Sequence, residues 1–173
     1  YLAKKGVGAY DIRIHDGHLI IPMRDNMGDI HSLQRIWPDG FKAHWPGGDP
    51  RGHYFIIQGK REFYLCEGYA TGASIHAATG GTVIVAFQAG NLMAVAANVK
   101  KKYPSVMVTV CADNDQWKPE IGNTGMDKAH AVGKKYGWKV VHPEFTKTET
   151  KPTDFNDLAS LEGIEAVRAQ IQG

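Results

Sequence analysis

Two apolar-rich runs near the start of the chain, HLIIPMR (residues 18–24) and DIHSLQRIW (residues 29–37), set its first pattern. The second alternates with a period of two, the mark of a half-buried strand. DNMG between them supplies the Asn and Gly of a hairpin connection. PDG makes a second turn into FKAHW, and PGGDPRG is a loop rich in breakers. YFIIQ (residues 54–58) reads as one more strand. Residues 10–58 are therefore expected to form a largely antiparallel β unit.

From residue 61 the period changes. REFYLC, TVIVAF, VMVTVCA and WKVVHP read as strands. Between them lie EGYATGASIHAATG, NLMAVAANVKKKYP and GMDKAHAVGKKYG, which have helical spacing and Gly, Lys or Pro at their ends. Such alternation predicts α/β architecture with a mainly parallel sheet flanked by helices. TKTETKP is a polar link, and SLEGIEAVRAQIQ is expected to close the chain as an amphipathic helix. The division expected is 1–60 as a basic β-rich subdomain, 61–145 as the α/β unit, and 146–173 as an acidic segment with its helix.

In open parallel sheets, ligands gather outside the carboxyl ends of the strands. Two of these strands end in acids: YLCEG gives Glu67, and VCADND gives Asp113 and Asp115. If Asp113 and Asp115 continue the strand, they leave on one face with Cα atoms roughly 6.6 Å apart. Two like charges so aimed are unfavourable unless a cation or a donor lies between them. The competing reading is a plain turn, for which Asp and Asn are good residues. A turn alone does not account for a third acid at the end of a neighbouring strand.

Composition narrows the picture only a little. The net charge of +2 on 173 residues does not by itself announce a nucleic-acid binder. Cys66 and Cys111 both sit in apolar runs and read as small buried hydrophobes. The chain has no CxxC and no apolar stretch approaching the ~18 residues of a membrane span. It opens on Tyr1 with no signal-peptide pattern. A cytoplasmic fragment of a longer protein is the expectation.

CEGYATG followed by VCADND resembles the Toprim domain, the metal-binding catalytic unit of bacterial primases, topoisomerases and some nucleases. In that likeness Glu67 matches the lone glutamate after the first strand, and Asp113 and Asp115 match the D-x-D. TDFNDL resembles the later acidic segment of primases, with Asp154 and Asp157 at its acidic positions. LIIPMRDNMGDIHSLQRIWPDGFKAHWPGG resembles the basic subdomain that precedes Toprim in DnaG-type primases. Arg24, Arg35 and Lys42 match its template-channel positions. The EGYAT and TDFNDL forms resemble primases and primase–helicases of plasmids and phages. The likeness runs from about residue 5 to 160. The primase zinc-binding module and a GxxxxGK[ST] phosphate loop are absent from this sequence. After Asp115 the chain inserts QWKPEIGNTG, so the place of Lys128 relative to the acids is open.

The resemblance implies a DNA primase, polymerising ribonucleoside triphosphates on a single-stranded DNA template with Mg²⁺ or Mn²⁺. It also implies a helicase domain or partner and a zinc-binding module beyond this stretch. Asp113, Asp115, Asp154 and Asp157 would bind metal, and Glu67 would bind metal or act as general base. Arg24, Arg35, Lys42, Arg51 and Lys128 would hold template and nucleotide phosphates. Each residue has a plainer competitor. Glu67 at a helix start suits the macrodipole. Asp154 could only cap the helix FNDLAS. The basic residues could be solvated surface charges, and Trp37, Trp45 and Tyr54 could pack a core rather than stack bases. Rival functions are a Toprim nuclease or topoisomerase fragment, a sugar-nucleotide transferase using the D-x-D, and a non-catalytic DNA- or partner-binding fragment.

Overall fold

The computed structural model describes residues 1–117, 120 and 122–173. After a short helix α1 (Leu2–Lys5), four strands form an antiparallel sheet in chain order: β1 (Arg13–His15), β2 (His18–Arg24), β3 (Ile30–Ile36) and β4 (Lys42–His44). The turn between β2 and β3 is closed by Asp25, whose Oδ1 accepts the N–H groups of Met27, Gly28 and Asp29 at 2.9–3.0 Å. Such local capture is why Asp starts turns so often. Ile21, Met23 and Ile36 are fully buried from this sheet. Removing such a side chain from water contributes about 1.5–3 kcal/mol.

The second sheet holds β5 (Phe55–Ile57), β6 (Lys60–Cys66), β7 (Gly81–Val85), β8 (Val108–Cys111) and β9 (Val140–Val141) in the order β5-β7-β6-β8-β9. All neighbours run parallel except β5, which pairs antiparallel with β7. Helix α2 (Tyr69–Thr79) joins β6 to β7, and α3 (Leu92–Lys102) carries the chain from β7 across to β8. Helix α4 (Thr124–Tyr136) leads to β9, and α5 (Phe155–Glu162) and α6 (Ile164–Gln172) close the chain. The strand order reverses beside β6, so its end and that of β8 flank the crevice where such sheets bind ligands.

Two cores cover the two faces of this sheet. On one, Val83, Val85 and Cys66 pack against α2, α5 and α6, and the same cluster takes in Ile21, Met23 and Ile36 of the first sheet. On the other, Leu65, Ile84 and Val110 pack against α3 and α4 through Val95, Val99, Ala129 and Val132. Helix α2 is buried on nearly every side, which explains its small residues. At Gly72 a Cβ would stand 2.9 Å from Val85 Cγ2 and 3.1 Å from Cys66 Sγ, so glycine is what lets the helix press on the sheet.

Three local expectations change. The strand at Phe55–Ile57 lies in the second sheet and not with the N-terminal hairpins, because its apolar residues pair along the open edge of β7. The closing helix is two helices, broken at Gly163, whose φ of 94° is left-handed. Asp113 and Asp115 do not continue a strand. The last ladder bond is Ala112 N–H to Val141 O at 2.8 Å, and Asn114 N–H turns away to Thr153 O at 2.7 Å. Residues 118, 119 and 121 of the inserted QWKPEIGNTG lie outside the described residues. No described helix is long and apolar enough to cross a membrane.

Candidate functional site

Glu67 follows β6 directly and Asp113 follows β8, so two parallel strands deliver a carboxylate each to one crevice. Helix α4 starts against both. A Cβ on Gly125 would sit 3.0 Å from Glu67 Oε1 and 2.7 Å from the carbonyl oxygen of Asp113. Glu67 Oε1 and Asp113 Oδ1 are buried without any hydrogen-bond partner. An unpaired buried acceptor is costly, and a charged one more so.

The titration of these acids reflects that cost. Burial first, then the charges of Asp115 and Asp154, push Glu67 up to about 7, although the backbone N–H of Ala89 donates to it. Asp113 is raised well above the ordinary carboxylate range by burial and then by Glu67, Asp154 and Asp115, with Lys42 opposing. Repulsion within one low-dielectric site disfavours full ionisation. The crevice calls for a proton or a cation between the oxygens. Among the described residues, no three His, Cys, Asp or Glu side chains already form a metal cage.

Asparagines fix the loops that carry these acids. Asn123 caps α4, its Oδ1 accepting from Met126 N–H at 3.3 Å and from Asp115 N–H at 3.1 Å. Its Nδ2 donates to Asn114 Oδ1 at 2.8 Å. The loop after β7 is held by backbone bonds, Ala86 N–H to Cys66 O and Phe87 N–H to Glu67 O. Buried Asn91 donates to Ala86 O, Pro50 O and His53 O and accepts from Gly52 N–H at 2.7 Å. That side chain rivets the Arg51 loop to the end of β7. Of these roles only the cap carried a sequence signal, Asn just before a helical run.

The other expected residues divide. Asp154 adjoins the cluster but is also the cap of α5: one oxygen accepts from Asp157 N–H at 2.8 Å and the other from Thr71 Oγ1 at 3.0 Å. Asp157 gives one oxygen to Thr153 N–H at 2.9 Å and pairs with Lys5 at 3.7 Å. Lys42 reaches the acids. Its pKa is lowered by loss of water around the ammonium, against the pull of Asp154 and Asp113, although the residue as a whole is exposed. Lys128 is exposed on α4, three residues beyond Gly125 and so on a neighbouring part of that helix face.

Arg35 is sandwiched, with its guanidinium 4.8 Å from the Trp37 ring and 4.9 Å from that of Trp45. Trp45 is 43% exposed, so this stack is not a closed core. Tyr54 is core, 2% exposed, with its hydroxyl donated to Asn26. Arg24 is not brought to the acids. It exchanges backbone bonds with Tyr54, just ahead of β5, and donates to Gly28 O at 2.7 Å, two strands away from β6.

A family model described as Toprim domain matches residues 62–165. DNA primase TraC of Escherichia coli is 31% identical over 166 residues, and a second DNA primase TraC of the same organism is 31% identical over 165. These matches take in 89% and 86% of this chain, which spans only 12% and 15% of those proteins. Among solved structures, the primase fragment of the bacteriophage T7 primase-helicase protein superposes with a TM-score of 0.65 at 14% identity, over 98% of this chain and 69% of that one. The RNA polymerase domain of Mycobacterium tuberculosis primase DnaG gives 0.59 at 17% identity, over 99% and 61%. At such identities the likeness is one of fold.

Proposed function

The chain belongs to the Toprim domain family, and from that premise we propose that it is the RNA-polymerising part of a DNA primase, making short primers on single-stranded DNA with Mg²⁺ or Mn²⁺. One observation carries the reading: buried, partnerless oxygens of Glu67 and Asp113 meet at the switch point of the sheet, beside Asp115. They are hard oxygen donors, and unmet donors fit a divalent ion of this class. Glu67, Asp113 and Asp115 would hold the metal. When bound, it supplies charge neutralisation for the attacking 3′-oxygen and the pyrophosphate leaving group.

The chain's own groups do the rest. Glu67, whose pKa is raised to about 7, is placed to take the proton of a 3′-hydroxyl near neutral pH. Asp154 holds the start of α5 against Thr71 of α2 and adds negative charge to the crevice. Asp157 steadies that cap. Lys42 faces the acids from the first sheet and would take a phosphate, with Arg51 and Lys128 on the rim. Arg35, with Trp37 and Trp45, would meet the template strand. Arg24 would act farther out along that path. The relatives' names support a longer protein in which a helicase domain or partner and a zinc-binding module accompany this unit.

The test is primer synthesis. The protein, a single-stranded template, four ribonucleoside triphosphates and Mn²⁺ or Mg²⁺ should give short RNA products that vanish in Asp113→Asn. Shortening of labelled template without new RNA would identify a nuclease instead. DNA binding with neither product would leave a non-catalytic fragment.

A further inference from the structure

Beside the acids, a cavity of about 390 Å³ is lined by Asp115, Trp117, Lys151 and Thr153. No step above uses Trp117 or Lys151. The Trp117 indole is pinned by its N–H, which donates to Pro152 O at 2.7 Å, so its ring is held in place while the residue stays partly exposed. Lys151 is exposed, and among the described residues no carboxylate pairs with it. Thr153 spends its backbone N–H on Asp157 and its carbonyl on Asn114, which leaves the hydroxyl for a ligand.

We infer that this cavity is the seat of a nucleoside triphosphate. Its base stacks on Trp117, Lys151 meets its phosphates, and its polyphosphate tail reaches the crevice at Asp115. The chemistry of the walls selects that class. A fixed aromatic face takes any base, because every base has a π-face. An ammonium binds phosphate as a point charge. A carboxylate beside it repels bare phosphate, and accepts it once a divalent cation lies between. A cavity of this size is in the range of small-molecule sites, about 300–1,000 Å³. Asp115 belongs to both the cavity and the acid cluster, so one ligand spans them.

The inference rests on the metal-dependent reading of the acids, and two probes separate the two. Calorimetric titrations with Mn²⁺ present use ATP and inorganic tripolyphosphate, which has the phosphates and no base. Trp117→Ala should weaken ATP binding about tenfold to a hundredfold, the worth of one stacked base, and leave tripolyphosphate unchanged. Trp117→Phe keeps a ring but loses the bond to Pro152 O, and should bind ATP nearly as the parent does. Lys151→Ala should weaken both ligands. Equal ATP binding by parent and Trp117→Ala overturns the cavity and leaves the primase reading standing. So does a Phe variant as damaged as the Ala one, since the indole then serves only its hydrogen bond. Failure of the parent to bind either ligand overturns the cavity and the metal reading together.

Discussion

Glu67 carries a charge that the fold resists. Its carboxyl would titrate near 4.5 unfolded and near 7 folded. For a carboxylate raised in this way, the folded state binds more protons in between. Its contribution to stability is fully present below pH 4.5 and is lost as the pH rises through 7. A shift of that size corresponds to at most about 3 kcal/mol, and Asp113, raised in the same direction, adds to it. Without metal, urea unfolding should therefore show lower stability at pH 8 than at pH 5.5. Glu67→Gln should flatten part of that slope. The lowered acids Asp25 and Glu162 act in the opposite sense, but they titrate below this window. A parent protein equally stable at both pH values would mean that Glu67 is not buried with its charge.

At the scale of elements, the acids depend on loops from distant parts of the chain. Asn123→Ala removes the cap of α4 together with the contacts to Asp115 and Asn114. It should cost about 1–2 kcal/mol in unfolding and weaken Mn²⁺ binding as well. Asn123→Asp keeps an acceptor for the cap but loses the amide donor to Asn114, so it should keep most of the stability and only part of the metal affinity. Unfolding curves and titrations on both variants check this. Little of that arrangement was legible in the sequence. The strands at 18–24 and 30–36, and the alternation after residue 61, could be read because local pattern and turn chemistry agree there. The membership of β5 depends on which strand edge is open, which no local pattern states. The strand geometry expected for Asp113 and Asp115 failed because Asn114 finds Thr153, a partner 39 residues on. The plain cap role of Asp154 and its place beside the cluster proved compatible.

Across the whole molecule, the antiparallel sheet and the α/β sheet share one apolar core, and Asn91 pins the loop between them. The basic and aromatic face of β3 and β4 is thus held in a fixed relation to the acid crevice. Arg35→Ala and Lys42→Ala should each weaken single-stranded DNA binding and lower its dependence on salt, by about 0.7 in the log–log slope for each lost phosphate contact. An unchanged slope in both variants would remove these residues from the template path. The central claim is that the partnerless oxygens of Glu67 and Asp113 are metal ligands. Melting curves of the parent and Asp113→Asn, each with and without millimolar Mn²⁺, test it most directly. Metal should raise the melting temperature of the parent, as any ligand specific to the folded state does. The variant, relieved of repulsion, should melt higher than the metal-free parent and ignore the metal. An equal metal-induced shift in both proteins would contradict the account.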